Sequence, residues 1–593
     1  MKKRKYQNMK TIKLIISLVL LILLGSCQKF SNLNPNVPGQ NSVIPPSMLL
    51  NRVENEMFLG PGQVDGSALQ PGTVSEEPFS MTIQHNEQYF VSNDPYYGGS
   101  NSYGWSNTAQ TYNMIKNVIQ MENAAALITK SRTNAYAVMG KFYRAYCLIW
   151  LSERVGDIPM IGICQGVSNL TPAYSTQHDV YKACLALLDT ANMMLNNQSA
   201  LNLSLLPFTG DIFGFTGASG LTHWQKVINA YKLRVLISLS KKIGTTYDAG
   251  DLNITARLDS LINGTNYPLL GGESDNLIFT YNSAYNPYLA NPGSTMGKYN
   301  NRQPMSTTLM NLLTVNMDPR TFIFSTPAKF QIDSLKKSVG DFTAYQGASI
   351  DSTYGALYNH SAIGGWGQYS YPNYARYYTS SATGPTTGDE AKGSILIGYP
   401  EQCFNIAEAI NQLWVNGSAS TWYMKGINAS LSYFGVTQGG TMQVYDEGGL
   451  NYIVSGTKLT TAQSTITLNV DTFLTLVALS ANQATAYSQI LNQKYIAFWQ
   501  NSGWTAFNNW RRTSTLNSSP KVSAGGYPST FTSTDPLNIL DAQGKIPRRW
   551  QYPLSEAQNN TANWQAACSA QFGGADDLFQ DVWINLPGSA TPK

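Results

Sequence analysis

The chain has 593 residues, enough to bury a large core, but only 12% of them are charged, about half the usual share. Six of its 39 Lys and Arg stand before position 27 with no acid among them; the rest of the chain has 33 bases against 35 acids. That near-neutral scatter excludes a nucleic-acid surface, which needs clustered Lys and Arg. Tyr (35), Trp (12) and Gly (49), with many amides and hydroxyls, fill the gap and make a neutral polar surface. Such a surface suits neutral polyhydroxylated ligands, which stack on rings and pair with amides, and it serves solubility outside the cytoplasm equally well.

In chain order, Lys2, Lys3, Arg4, Lys5, Lys10 and Lys13 precede an apolar run over 14–24 that is too short to span a bilayer. Leu24-Gly25-Ser26-Cys27 closes that run and resembles a bacterial lipobox. The expectation is a signal peptide over 1–26, an acylated Cys27 that holds the chain to a membrane, and a Pro- and Asn-rich tether over 27–47. Residues 48–593 are expected to form one domain. A first helix over 47–59 ends at Gly60-Pro61-Gly62, and 81–104 reads as loop with at most one strand. Apolar stripes at helical spacing then predict helices over 105–129 and 134–153, joined as a hairpin and stopped by Gly156-Asp157-Ile158-Pro159. Similar stripes recur over 178–196 and 221–241, through Phe404, Ala407, Ile410 and Trp414, from Ser418 to Phe434-Gly435, and through Tyr487, Leu491, Tyr495 and Phe498. The fold class is therefore mainly α: a tetratricopeptide-like scaffold of helical pairs, with long loops and short strands over about 268–400 forming a ligand face.

Little points to catalysis. The cysteines after Cys27 (Cys147, Cys164, Cys184, Cys403, Cys568) are odd in number and widely spaced, and read as buried free thiols; the four His are not paired at helical spacing. No metal and no cofactor is expected. Nucleophile elbows, zinc-protease motifs and phosphate loops do not occur, and the acid pairs Glu76-Glu77, Asp389-Glu390 and Asp576-Asp577 read as solvated surface charge. Aromatic loops are more informative. One Trp and five Tyr fall within 364–378, with glycines beside Trp366. Together with Tyr96, Tyr97, Tyr285 and Arg302, the residues Trp366, Tyr369, Tyr371 and Tyr374 are the candidate ligand contacts. Each ring either packs under its loop or stacks on a ligand.

Several motifs in fixed order resemble the SusD/RagB family of outer-membrane nutrient-binding lipoproteins. They are Leu33-Asn34-Pro35-Asn36, Trp105 with Tyr112 and Ile115, Arg144-Ala145-Tyr146 leading to Gly156-Asp157-Ile158-Pro159, and Ile406-Ala407-Glu408-Ala409. Trp510-Arg511-Arg512-Thr513 follows, then Pro547-Arg548-Arg549, Tyr552-Pro553, Glu556 and Asn560. Two positions depart from the family pattern: Gln551 stands where many members have Pro, and Gln28-Lys29-Phe30-Ser31 lacks an acidic run. The resemblance implies four tetratricopeptide-like pairs, no catalytic residues, and a lid over a SusC-like TonB-dependent transporter that receives captured glycan or, in some members, peptide. In that account the motifs are structural. The alternatives are a peptide-binding member of the same family and an extracytoplasmic hydrolase.

Overall fold

Apolar stripes at helical spacing become long helices where the sequence places them. The computed structural model describes residues 44–59, 81–93, 112–280, 302–349, 352–361, 365–373, 378–381, 384–387, 393–445, 463–513 and 547–588. The expected leader, Cys27, the tether up to residue 43, Trp105, Glu76-Glu77 and Asp389-Glu390 lie outside these, and the last two residues of the expected tether, Pro46 and Ser47, open the first helix. The longer helices are α1 (Pro46–Leu59), α2 (Asn113–Thr129), α3 (Ala135–Val155), α4 (Gln177–Asn196) and α5 (Gly217–Ser238). After the insert come α6 (Tyr399–Asn411), α7 (Ala419–Tyr433), α8 (Gln483–Ala497) and α9 (Thr505–Thr513).

Local chemistry sets their starts. Asn134, Thr176, Ser418 and Asn482 each sit outside the first turn and accept a backbone N–H three residues on, filling a donor the helix leaves open. Each helix from α1 to α5 packs on the next except that α1 lies on α2 and α3 together; α6 lies against α5, α7 and α8. Their inner faces merge into one core, in which Phe142 of α3 meets Trp224 and Tyr231 of α5 at ring-centroid distances of 5.4 and 5.6 Å.

Among the described residues, strands occur only as two-stranded antiparallel pairs. One of them, β1 (Leu277–Phe279) with β2 (Ser394–Ile397), closes the insert at its root, just before α6. The insert is more helical than expected: Thr307–Val315, Arg320–Phe324, Lys329–Asp333 and Tyr354–His360 are all helices. Five to nine residues are too few for a period of 3.6 to register. The loop expected over 81–104 likewise begins as a helix, Met81–Asn86. There Gln84, His85 and Asn86 are buried beside Ile83, so no polar face marks the helix in the sequence. Cys164 also departs from expectation. It is exposed with φ +58°, while Cys147, Cys184, Cys403 and Cys568 are buried free thiols.

Several of the motifs shared with the SusD/RagB pattern, Tyr112, Gly156 to Pro159, Arg548-Arg549, Tyr552 and Glu556, meet at the end of α3. Gly156 turns there with φ +93°, and a Cβ on it would lie 2.0 Å from Gln571 Oε1. That oxygen accepts the Asp157 N–H at 2.8 Å, while Gln571 Nε2 donates to Tyr552 Oη and Tyr552 Oη donates to the Asp157 carbonyl at 2.6 Å. Asp157 Oδ1 accepts the Gln177 N–H at 2.8 Å, which ties the start of α4 into the same knot. Tyr112 reaches the Pro159 carbonyl at 2.7 Å, and Tyr174 reaches Glu556 at 2.7 Å. Arg548 pairs with Asp581 through two bonds of 2.9 and 3.0 Å. Arg549 pairs with Asp576, and Asp577 lends Arg549 its carbonyl. Asp576 is thus not solvated surface charge, since the fully buried Arg549 guanidinium pairs with it, while the Asp577 carboxylate accepts the Phe579 N–H.

Candidate functional site

The insert presents its aromatic segment through backbone bonds. Residues 366–373 run between two anchoring segments: Met305 N–H donates to the Ser370 carbonyl (2.9 Å) and Ser370 N–H to the Gln346 carbonyl (2.7 Å). Thr326 N–H donates to the Tyr371 carbonyl and Phe330 N–H to the Gly367 carbonyl, both at 2.9 Å. Gly365 (φ +94°) and Gly367 (φ +58°) flank Trp366, and a Cβ on Gly367 would sit 2.9 Å from Lys329 Cβ. Two left-handed positions in three residues throw the indole outward, and it is 59% exposed.

The neighbouring rings make a corner around it. His360, the last residue of the Tyr354–His360 helix, lies 5.5 Å from the Trp366 ring at 46° and 6.3 Å from the Tyr369 ring at 68°. Tyr369 Oη approaches His360 Nδ1 at 3.4 Å. Burial raises the Tyr369 phenol above its ordinary pKa, so it stays protonated and polar without charge. Lys329, which lies against Gly367 and pairs with Asp333 across one turn, borders the corner, and the helix that ends at His360 also carries the exposed Tyr358 and Asn359.

The expected contacts separate sharply. Trp366 and Tyr369 come together at this corner. Tyr371 does not: at 2% exposure its ring belongs to the core, which corrects its assignment as a ligand contact. Arg302 is half-buried, its carbonyl accepts the Asn93 N–H at 3.0 Å, and it leads into the Met305 segment that borders Ser370. Tyr96, Tyr97, Tyr285 and Tyr374 lie outside the described residues. His360 and Tyr358 were not singled out from the sequence. The local signal is Gly365, whose left-handed φ of +94° turns Trp366 back toward the helix that ends six residues earlier.

A second concavity lies inside the scaffold and has a different character. It is a cavity of about 60 Å³ lined in part by Tyr231, Arg234, Glu401, Lys494, Trp504 and Arg512. Several of its charges are paired. Arg234 Nε donates to Glu401 at 2.7 Å, and Arg512 donates to Glu408 at 2.6 Å with Lys494 beside it at 3.4 Å. Burial alone would raise the Glu408 carboxyl, but the Arg512 and Lys494 charges outweigh it and hold it below the ordinary value. This is an ion-paired seam between α5, α6, α8 and α9. Among the described residues no group of three His, Cys, Asp or Glu could hold a metal ion, and no helix is long and apolar enough to cross a membrane.

A family model described as SusD-like, starch-binding associating with outer membrane, matches residues 40–553. Among solved structures, a SusD homologue from Bacteroides fragilis shares 22% identity with a TM-score of 0.69, covering 92% of this chain and 100% of its own. A second from the same species shares 24% at 0.66, again covering 92% and 100%. A chitin-binding SusD homologue from Flavobacterium johnsoniae shares 17% at 0.59, covering 91% and 99%. No curated protein sequence matches.

Proposed function

Because the chain belongs to the SusD-like family of proteins associated with the outer membrane, we propose that it is a non-catalytic binding protein that captures a glycan at the Trp366 corner. The observation that carries this reading is the indole itself, 59% exposed between two positive-φ glycines on a segment that seven main-chain hydrogen bonds hold in place. Rigid exposure of a large ring gains nothing for folding, whereas a sugar's CH face gains about 1 kcal/mol or more from stacking on it. His360 beside the ring and Lys329 against Gly367 supply hydrogen-bond partners for hydroxyl groups there. The named chitin-binding relative makes an N-acetylated polysaccharide a natural first ligand to test.

In the same proposal, Cys27 carries the acyl anchor, the domain faces the cell exterior, and captured oligomer passes to a SusC-like TonB-dependent transporter. The test is a glycan array including chitin, starch and other plant and bacterial oligosaccharides, read with wild type and Trp366→Ala. The expected result is binding to one glycan class, weakened about five- to tenfold in the variant. Binding that Trp366→Ala leaves unchanged, or binding to peptides alone, would overturn the glycan reading of this corner. Co-purification with a TonB-dependent barrel from native membranes tests the transporter partnership.

A further inference from the structure

The end of the scaffold where the chain arrives from its tether carries an apolar face that ligand capture does not use. Pro45, Pro46 and Ser47 lead into α1 along an open groove of about 560 Å³ walled by Leu127, Ile128, Leu206 and Pro207. Aliphatic tips crown it: Met48 is 64% exposed, Leu127 57% and Leu205 63%, with Ile128 exposed between them.

These tips sit on one tightly built surface. Tyr136 Oη donates to the Pro207 carbonyl at 3.2 Å and accepts the Thr209 N–H at 3.2 Å; Asn202 Nδ2 donates to the Thr133 carbonyl at 2.9 Å. A Cβ on Gly210 would lie 2.3 Å from the Ser47 carbonyl oxygen, so the 201–210 loop is pressed against the start of α1.

The exposed charge at the face is cationic. Lys130 and Arg132 are exposed on the turn between α2 and α3, while the nearest acids are turned inward: Glu54 and Glu56 of α1 are buried, and Asp211 accepts from Phe213 N–H and Trp224 Nε1. Exposed aliphatic tips with flanking cations and no exposed acid among them are what a protein needs to lie in the headgroup and acyl boundary of an anionic lipid surface. A protein partner would more often be held by exposed Trp or Tyr anchors, whereas the one tyrosine in the groove, Tyr136, is buried.

We propose that this face rests on the membrane that holds the acyl anchor, as its second attachment. This rests on the reading of Cys27 given above. Sixteen residues separate Cys27 from Ile44, a reach of at most about 60 Å when extended, so the face lies within the anchor's range. A second attachment matters because two points fix the domain's tilt where one leaves it free.

The test uses the full mature chain reconstituted into vesicles of phosphatidylcholine and phosphatidylglycerol carrying a photoactivatable phospholipid, with labelled peptides mapped by mass spectrometry. Label is expected at 125–132 and 202–208. It should fall at least about fivefold in Leu127→Glu/Leu205→Glu and in Lys130→Glu/Arg132→Glu. These four side chains are exposed, and an unchanged melting temperature verifies that the variants fold. Label spread evenly over the domain, confined to 28–43, or unchanged in both variants would overturn the proposal. So would lipid label at the face that is lost when a TonB-dependent barrel is co-reconstituted, since the face would then belong to the protein partner. The mass of the N-terminal peptide reports the anchor separately. An unacylated chain that still labels at the face on added vesicles keeps the inference and removes the anchor; an acylated chain without that label does the reverse.

Discussion

The knot at the end of α3 and the Trp366 corner are both aromatic and Gly-punctuated, yet they use those residues in opposite ways. In the knot the side chains bind protein: Tyr112, Tyr174 and Tyr552 each spend the hydroxyl on a carbonyl or carboxylate, and Gly156 exists to admit Gln571. At the corner the main chain does the holding, and the glycines serve to expose a ring. Aromatic content alone therefore separates nothing. What separates scaffold from site is whether the side chain or the backbone carries the hydrogen bonds. That is also why the described family motifs sit in side-chain networks, the knot and the Glu408 seam, and the ligand proposal at the corner: the corner can change its rings without disturbing a side-chain network.

The sharpest way to break this comparison is to remove Glu408. Its carboxylate is fully buried between Arg512 and Lys494, so Glu408→Ala leaves two buried cations without their counter-ion. The expected loss is about 3–5 kcal/mol in chemical denaturation, with glycan specificity unchanged in whatever fraction folds. A loss below about 1 kcal/mol would mean that water reaches the seam and that the scaffold is looser than its ion pairs suggest. Next in size is Gly156→Ala, which meets both a left-handed φ and the Gln571 side chain. It should cost about 1–3 kcal/mol, and adding Gln571→Ala should return only the share due to the clash. Full recovery in the double variant would show that the φ itself carries no strain.

Most of the scaffold was legible because it is made of long amphipathic helices: α3 to α8 fall within a few residues of their stripes, while α2 starts at Asn113 rather than at Trp105. Three things were not. Short helices of the insert carry too few residues for a period, and Met81–Asn86 buries polar and apolar residues alike. The packing of Tyr371 beside the exposure of Trp366, five residues earlier, is decided by contacts to 305–346 that are distant in sequence. Asp576 looked like surface charge because its partner Arg549 stands 27 residues away. In each case the missing information is tertiary, and the glycines around Trp366 were the one local cue that pointed the right way.

A smaller effect separates the knot from the corner by pH. Burial raises the Asp157 carboxyl to about 7, against the pull of its bond from Gln177 N–H. Its folded pKa lies above the unfolded value of 3.8, so its contribution is full below 3.8 and is lost as pH rises through 7. His85 runs the other way: burial lowers it to about 4, so its contribution is full above its ordinary 6.5 and is lost as pH falls through 4. Asp157→Asn keeps an oxygen for the Gln177 N–H and removes the first dependence. Between pH 5 and 8, the variant should lose less stability than wild type, read as denaturant midpoints on the same buffers. Parallel midpoints for the two proteins would show that Asp157 is ionised throughout and that the knot is wetter than its burial implies.

The smallest expected change in stability is at Trp366. With its ring exposed and its position held by backbone bonds, Trp366→Ala should alter unfolding by no more than about 0.5 kcal/mol, while Tyr371→Ala, which empties a core site, should cost about 3 kcal/mol or more. The pair is informative because the two residues share one segment, one set of main-chain anchors and one aromatic-rich composition, and differ only in which way the ring faces. A Trp366→Ala protein that is as stable as wild type and has lost ligand affinity assigns the ring to binding. If it instead loses stability comparable to Tyr371→Ala, the indole is packing against chain beyond the described residues, and the corner joins the scaffold on the other side of the comparison.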